Sequence, residues 1–153
     1  MITSEELNKY IRKIGGLENG FTPWPHKDQT LKYCSFVLLR DLRVPDNKNP
    51  FRRKIYSVGC PDGWNLLVKN LIQELIDNGW NRELCQCKEK FGGLRFYING
   101  ASKECHDIIS KYENLSYETC ERCGNPGQPN DTGWITTLCD ECRNKQKEKF
   151  IKL

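Results

Sequence analysis

Four of the nine cysteines in this 153-residue chain fall into two pairs of matched spacing. Cys120-Glu121-Arg122-Cys123 is followed by fifteen residues and then by Cys139-Asp140-Glu141-Cys142. A CxxC turn aims backbone N–H groups at its first sulfur and brings both sulfurs within reach of one ion, and Zn²⁺ takes four thiolates tetrahedrally at about 2.3 Å. Two such turns complete the set and leave no position for water, so the expected cofactor is one Zn²⁺ in a structural role. The competing reading, four buried or redox-active thiols, accounts for the residue type but not for the spacing. Gly124 permits the tight turn of a knuckle. Gly133-Trp134-Ile135-Thr136-Thr137-Leu138 alternates like a strand feeding the second pair, and Cys139 and Cys142 then open a helix. That order fits a treble clef, or a ribbon with two knuckles.

The other cysteines (Cys34, Cys60, Cys85, Cys87 and Cys105) show no ligand pattern. Cys85 and Cys87 alternate on a predicted strand, so they are expected to share a face as buried thiols. His106 follows Cys105 in sequence, whereas a Cys–His nucleophile pair needs adjacency in space. His26 lies in a Pro-rich loop. With no GxSxG, no HExxH and no telling pair of carboxylates, no catalytic residue is expected, and binding is preferred to catalysis. Two basic stretches are candidate ligand or partner surfaces. Lys88, Lys90 and Arg95 flank Gly92-Gly93 beside Phe96 and Tyr97, and could hold phosphates and stack a base. The same residues also suit a hairpin with one aromatic side in the core. Arg52 and Arg53, with Lys54, form the second stretch. In Cys60-Pro61-Asp62-Gly63-Trp64, a helix cap at Asp62 and a core anchor at Trp64 suffice.

These groups need elements to position them. Thr3 and Glu6 form a capping box ahead of Leu7, Tyr10, Ile11 and Ile14, and Gly15-Gly16 ends that helix. Residues 15–30 read as a loop carrying Trp24, 31–44 fit a strand or a short helix, and Ile55–Val58 reads as a strand. Asp62 caps a helix with Leu67, Leu71 and Leu75 on a broad apolar face beside Val68, Ile72 and Ile76, stopped at Asn78-Gly79. Strands 84–91 and 94–98 flank a Gly92-Gly93 loop. Ser102 caps a third helix whose apolar side is Ile108, Ile109, Tyr112 and Leu115. The segment 140–152 is helical and cationic.

The class is therefore α+β: a small antiparallel hairpin packed by helices, with a C-terminal zinc module. Three regions are expected: 1–55 helical and loop, 56–116 the core, and 117–153 the four-cysteine zinc module with its helix. Loss of the metal should loosen 117–150 and spare the core. The formal charge is +4, with 11 Lys/Arg against 6 Asp/Glu in the first sixty residues. That is too mild to argue for nucleic acid by itself. No apolar run approaches the ~20 residues of a membrane span, and the N-terminus lacks a signal-peptide pattern. A cytoplasmic protein without membrane contact is expected.

From Tyr56 to about Arg143 the order of features resembles a group of small, uncharacterised bacteriophage and prophage proteins. The resemblance rests on Gly63-Trp64, the stretch from Lys88 to Tyr97, Cys120-Glu121-Arg122-Cys123-Gly124, Gly133-Trp134-Ile135, and Leu138-Cys139-Asp140-Glu141-Cys142. It implies a phage-type accessory protein with a zinc knuckle and no catalytic role, one that binds a host protein such as a defence component. Two other expectations stand beside it: nucleic-acid binding through the zinc module and the Arg52–Lys54 region, and capture of a small nucleotide signal by the aromatic–basic hairpin.

Overall fold

A computed structural model of the protein describes residues 2–14, 37–38, 60–98 and 100–151. Helix α1 (Ser4–Ile14) begins as its capping box dictates. The Thr3 amide donates to Glu6 Oε2 (2.6 Å), and the Glu6 amide donates to Thr3 Oγ1 (3.1 Å). Leu7 and Ile11 bury themselves beside α2 (Asn65–Asp77), whose Val68, Leu71, Ile72 and Leu75 are sealed from water. The entry to α2 differs from the expected Asp62 cap. A single 3-10 turn, Asp62–Trp64, precedes the helix, and no side chain caps either one. The Asp62 carboxylate instead accepts the Ser4 hydroxyl at 2.7 Å, joining the starts of α1 and α2. Trp64 is the anchor its position suggested: it is fully buried, and its Nε1 donates to the Thr119 carbonyl at 2.8 Å.

Strands β2 (Glu83–Lys90) and β3 (Gly93–Ile98) form an antiparallel hairpin, with β1 (Val37–Leu38) on the far side of β2. Val37 and Leu38 pair with Leu84 and Glu83, so this part of 31–44 is strand. The register steps from Leu84–Ile98 to Gln86–Tyr97, which makes Cys85 the extra residue of a bulge. Leu84 and Cys87 are therefore both buried, and the alternation expected to put Cys85 and Cys87 on one face is broken; Cys85 is only half-buried.

The hairpin loop is displaced by one residue from the expected Gly92-Gly93. Lys90 pairs with Gly93, and the loop is Phe91–Gly92 with φ of 53° and 78°. Two positive φ values are what a two-residue primed turn requires. A phenylalanine there is unfavourable by roughly 1–2 kcal/mol, and the residue is 66% exposed, so packing does not repay the strain. Phe91→Asn should therefore raise the melting temperature by about 3 °C in a circular-dichroism melt; a lower value would show that the ring stabilises the fold.

Helix α3 (Lys103–Ser116) starts at Ser102, whose Oγ accepts the Cys105 amide at 3.3 Å. Cys105 and Ile109 are buried, and Ile108 and Tyr112 pack partly against the core. Leu115, expected on the apolar side, is exposed, and Ser116 is buried instead. The reason lies in the sheet. Ser116 Oγ accepts the Leu94 amide (2.8 Å) and Glu113 Oε1 accepts the Phe96 amide (3.1 Å), so α3 satisfies the free edge of β3. Glu74 of α2 receives Lys111 Nζ (2.6 Å) and Tyr112 Oη (2.7 Å) from α3.

The chain then forms a short pair, β4 (Gln128–Pro129) with β5 (Thr137–Leu138), and ends in α4 (Asp140–Ile151). The strand expected from Gly133 is confined to its last two residues. The architecture is α+β. Among the described residues no helix is long and apolar enough to cross a membrane. The Gly15-Gly16 stop, Trp24, His26, Cys34, the Arg52–Lys54 patch and the strand at Ile55–Val58 lie outside the described residues.

Candidate metal centre

The four cysteines selected by spacing come together. Their sulfurs all lie within 4.8 Å of one another, and Cys123 Sγ and Cys139 Sγ are 3.6 Å apart. A tetrahedral ion with metal–sulfur bonds near 2.3 Å separates its ligands by about 3.8 Å, so the donor set fits such an ion. The first pair is shaped by its backbone. The Gly124 amide donates to the Cys120 carbonyl (2.9 Å) and the Cys120 amide donates to the Asn125 carbonyl (2.7 Å). Gly124 takes φ of 79°, the left-handed geometry that glycine adopts without cost. In the second pair, Cys139 directly precedes α4 and Cys142 lies in its first turn, with the Cys142 amide pointing at Cys139 Sγ (3.4 Å).

The electrostatics suit a cation. Burial alone would push the Cys120 thiol up, but the backbone amides of Cys139, Cys123 and Arg122 together bring it down to about 7. Desolvation, followed by the neighbouring sulfurs, pushes Cys142 up to about 12 and raises Cys123 as well. Four thiols this close cannot all ionise without a compensating positive charge, and a divalent ion supplies one. All four sulfurs are protein donors, so the set is complete without water.

Several supporting residues carried no signal in sequence. The Glu121 amide donates to the Thr137 carbonyl (2.9 Å), and Glu121 Oε2 accepts the Thr137 amide (3.2 Å), locking the first pair to β5. Thr137 is buried, and its hydroxyl donates to the Gly92 carbonyl at the hairpin turn (2.5 Å). The Gly63 amide donates to the Glu121 carbonyl (2.9 Å). The metal segment is thereby tied both to the start of α2 and to the tip of the hairpin.

The other candidates are placed as follows. Lys88, Lys90, Arg95 and Tyr97 lie on the hairpin and not at the cysteine cluster. Phe96 is in the core with its ring edge-on to Trp80 (centroids 5.8 Å). Arg52 and Arg53 lie outside the described residues. Cys105 is buried whereas His106 is exposed, so they form no dyad. Cys60 is a structural thiol, pushed up to about 12 by burial and donating to Asn65 Oδ1 at 3.6 Å.

Trp134, placed by the alternation of 133–138 in a strand, lies instead in an exposed loop. It is 83% exposed, on a loop built around Asn130. Asn130 Nδ2 donates to the carbonyls of Thr132 (2.6 Å) and Trp134 (3.0 Å), and its Oδ1 accepts the Thr136 amide (2.7 Å). The signal available in sequence was an Asn and a Gly in the four residues before the tryptophan, which is turn chemistry and not strand. The chain matches no family model, no curated protein and no solved structure.

Proposed function

We propose that this protein is a zinc-stabilised, non-catalytic binding protein that engages a protein partner through Trp134. The carrying observation is the contrast at that residue: a rigidly hydrogen-bonded loop holds the largest side chain type almost wholly in water. Tryptophan on a pre-ordered surface is the characteristic anchor of a protein interface, because it buries a large area at little conformational cost. Zn²⁺ is the ion the four thiolates favour, and a knuckle, a short β-pair and a helix opening on the last ligands are in treble-clef order. A closed sulfur set offers no open coordination position, which favours a scaffold role for the metal. The resemblance to phage proteins adds that the partner is a host component, such as a defence protein.

Affinity capture from host lysate with wild type and with Trp134→Ala tests this. A specific partner should be retained by wild type and weakened by about thirtyfold or more in the variant. Zinc content and melting temperature should be unchanged, since the ring touches little. A partner held equally by both proteins would refute the Trp134 assignment. Elemental analysis finding no zinc in protein purified without chelator would refute the metal.

A further inference from the structure

The outer face of the β2–β3 hairpin carries a pattern that fold stability does not explain. Cys87, Leu94 and Phe96 face the core. Pleating therefore puts the pairs Gln86–Tyr97 and Lys88–Arg95, with Lys90 opposite Gly93, on the other side. Lys88 and Arg95 sit directly across from each other, an arrangement of like charges that weakens a sheet. The ion pairs of the described residues are Lys111–Glu74 and Lys145–Glu141, so neither Lys88 nor Lys90 is neutralised by a described carboxylate. Arg95 Nη2 donates to Tyr117 Oη (2.9 Å) and Nη1 to the Leu94 carbonyl (3.0 Å), and Glu113 lies near enough to act on it electrostatically. Among the described residues its remaining N–H groups have no hydrogen-bond acceptor.

Aromatic rings are interleaved with these cations. Tyr97 is 44% exposed. The Tyr117 ring occupies the space a side chain on Gly93 would need, so this glycine lets it lie on the hairpin. At the tip stands the strained, exposed Phe91, with Lys90 Nζ 5.6 Å from its ring centre.

We infer that this face binds single-stranded nucleic acid, with bases stacking on Tyr97 and Phe91 and phosphates held by Lys88, Lys90 and Arg95. Lys88 and Lys90, without an ion-pair partner among the described residues and in line with Arg95, call for a polyanion, and exposed rings between them call for unpaired bases. A duplex keeps its bases stacked inside and leaves the rings without a role. From the Gln86–Tyr97 pair to the turn the hairpin runs about 16 Å, room for roughly four to five stacked nucleotides at ~3.4 Å each. The strain at Phe91 is explained by the same use, since observed strain at an exposed position points to function.

Fluorescence anisotropy with labelled twelve-nucleotide oligo-dT and oligo-U, the matching duplexes and a poly-glutamate peptide of equal charge tests the inference on the full zinc-loaded chain. Single strands should bind more tightly than duplexes. With three phosphates engaged, the slope of log K against log salt should be about −2, falling to about −0.7 in the Lys88→Gln/Lys90→Gln double variant. Tyr97→Ala should lower affinity about tenfold on either oligonucleotide. Zinc content and melting temperature, measured on each variant, separate lost binding from lost fold. No binding at low salt, binding indifferent to the two lysines, or peptide binding equal to the oligonucleotide would overturn the inference; the last would reassign the face to an acidic protein.

Discussion

Stripping the metal, by chelation or by Cys123→Ser, is expected to unfold much more than the C-terminal module. The presence of a larger core outside the cysteine segment suggests a local effect, with 117–150 loosening and that core surviving. The contacts enlarge that expectation. Trp64, at the centre of the core, has its indole N–H bonded to the Thr119 carbonyl. If that segment unravels, a buried donor loses its partner, which costs about 1–3 kcal/mol. The hairpin turn loses the Thr137 hydroxyl, and the start of α2 loses its bond from Gly63 to Glu121. A structural zinc site contributes on the order of 10–16 kcal/mol in small fingers, as much as the entire stability of a typical domain at about 5–15 kcal/mol. Hydrogen exchange before and after chelation reads the extent directly. Amides of α2 and β3 should lose protection together with those of 120–142. Undiminished protection in α2 would show that the core stands alone.

What could be read from sequence was what is decided by near neighbours in the chain. The capping box at Thr3 and Glu6, the Ser102 cap, the apolar face of α2 and the two CxxC turns each depend on residues three or four apart, and each is where its spacing put it. The errors share a different cause. The hairpin loop is Phe91–Gly92 because Gly93 is needed in β3, where Tyr117 approaches it, and Tyr117 is 24 residues away. Leu115 is left in water because Ser116 must reach the β3 edge. The Cys85 bulge follows from a pairing register that no local pattern encodes. Alternation over 133–138 suggests a strand at Trp134, but the Asn130 side chain bonds the Thr132 and Trp134 carbonyls and the Thr136 amide and holds a loop there. In the metal centre, the ligands were legible as a motif, whereas Thr137, Glu121 and Gly63 were not, because their bonds join groups brought together from distant segments.

Gly63→Ala is expected to be among the most damaging single-atom additions in the protein, and to damage metal binding as well as stability. A Cβ at this position would overlap the Cys120 carbonyl oxygen and lie 2.6 Å from Glu121 C and 2.8 Å from Arg122 N. All three are backbone atoms of the first CxxC turn, so no rotamer change relieves the clash. Either the 3-10 turn bearing Trp64 moves out of the core or the knuckle moves away from it. Overpacking of a rigid site costs typically 1–3 kcal/mol and occasionally more; with backbone on both sides and the Gly63–Glu121 hydrogen bond also lost, roughly 4 kcal/mol is expected. The control is Gly79→Ala. Gly79 has φ of 84° but open space around it, so the added methyl should cost only the left-handed penalty of about 1–2 kcal/mol. Competition with a chromophoric chelator distinguishes the two. Gly63→Ala should release zinc at lower chelator concentration than wild type because Cys120 and Cys123 are displaced, whereas Gly79→Ala should hold it as wild type does. Equal zinc retention and similar melting temperatures for the two variants would mean that the knuckle and the core are separable, and that the close approach at Gly63 does not couple them.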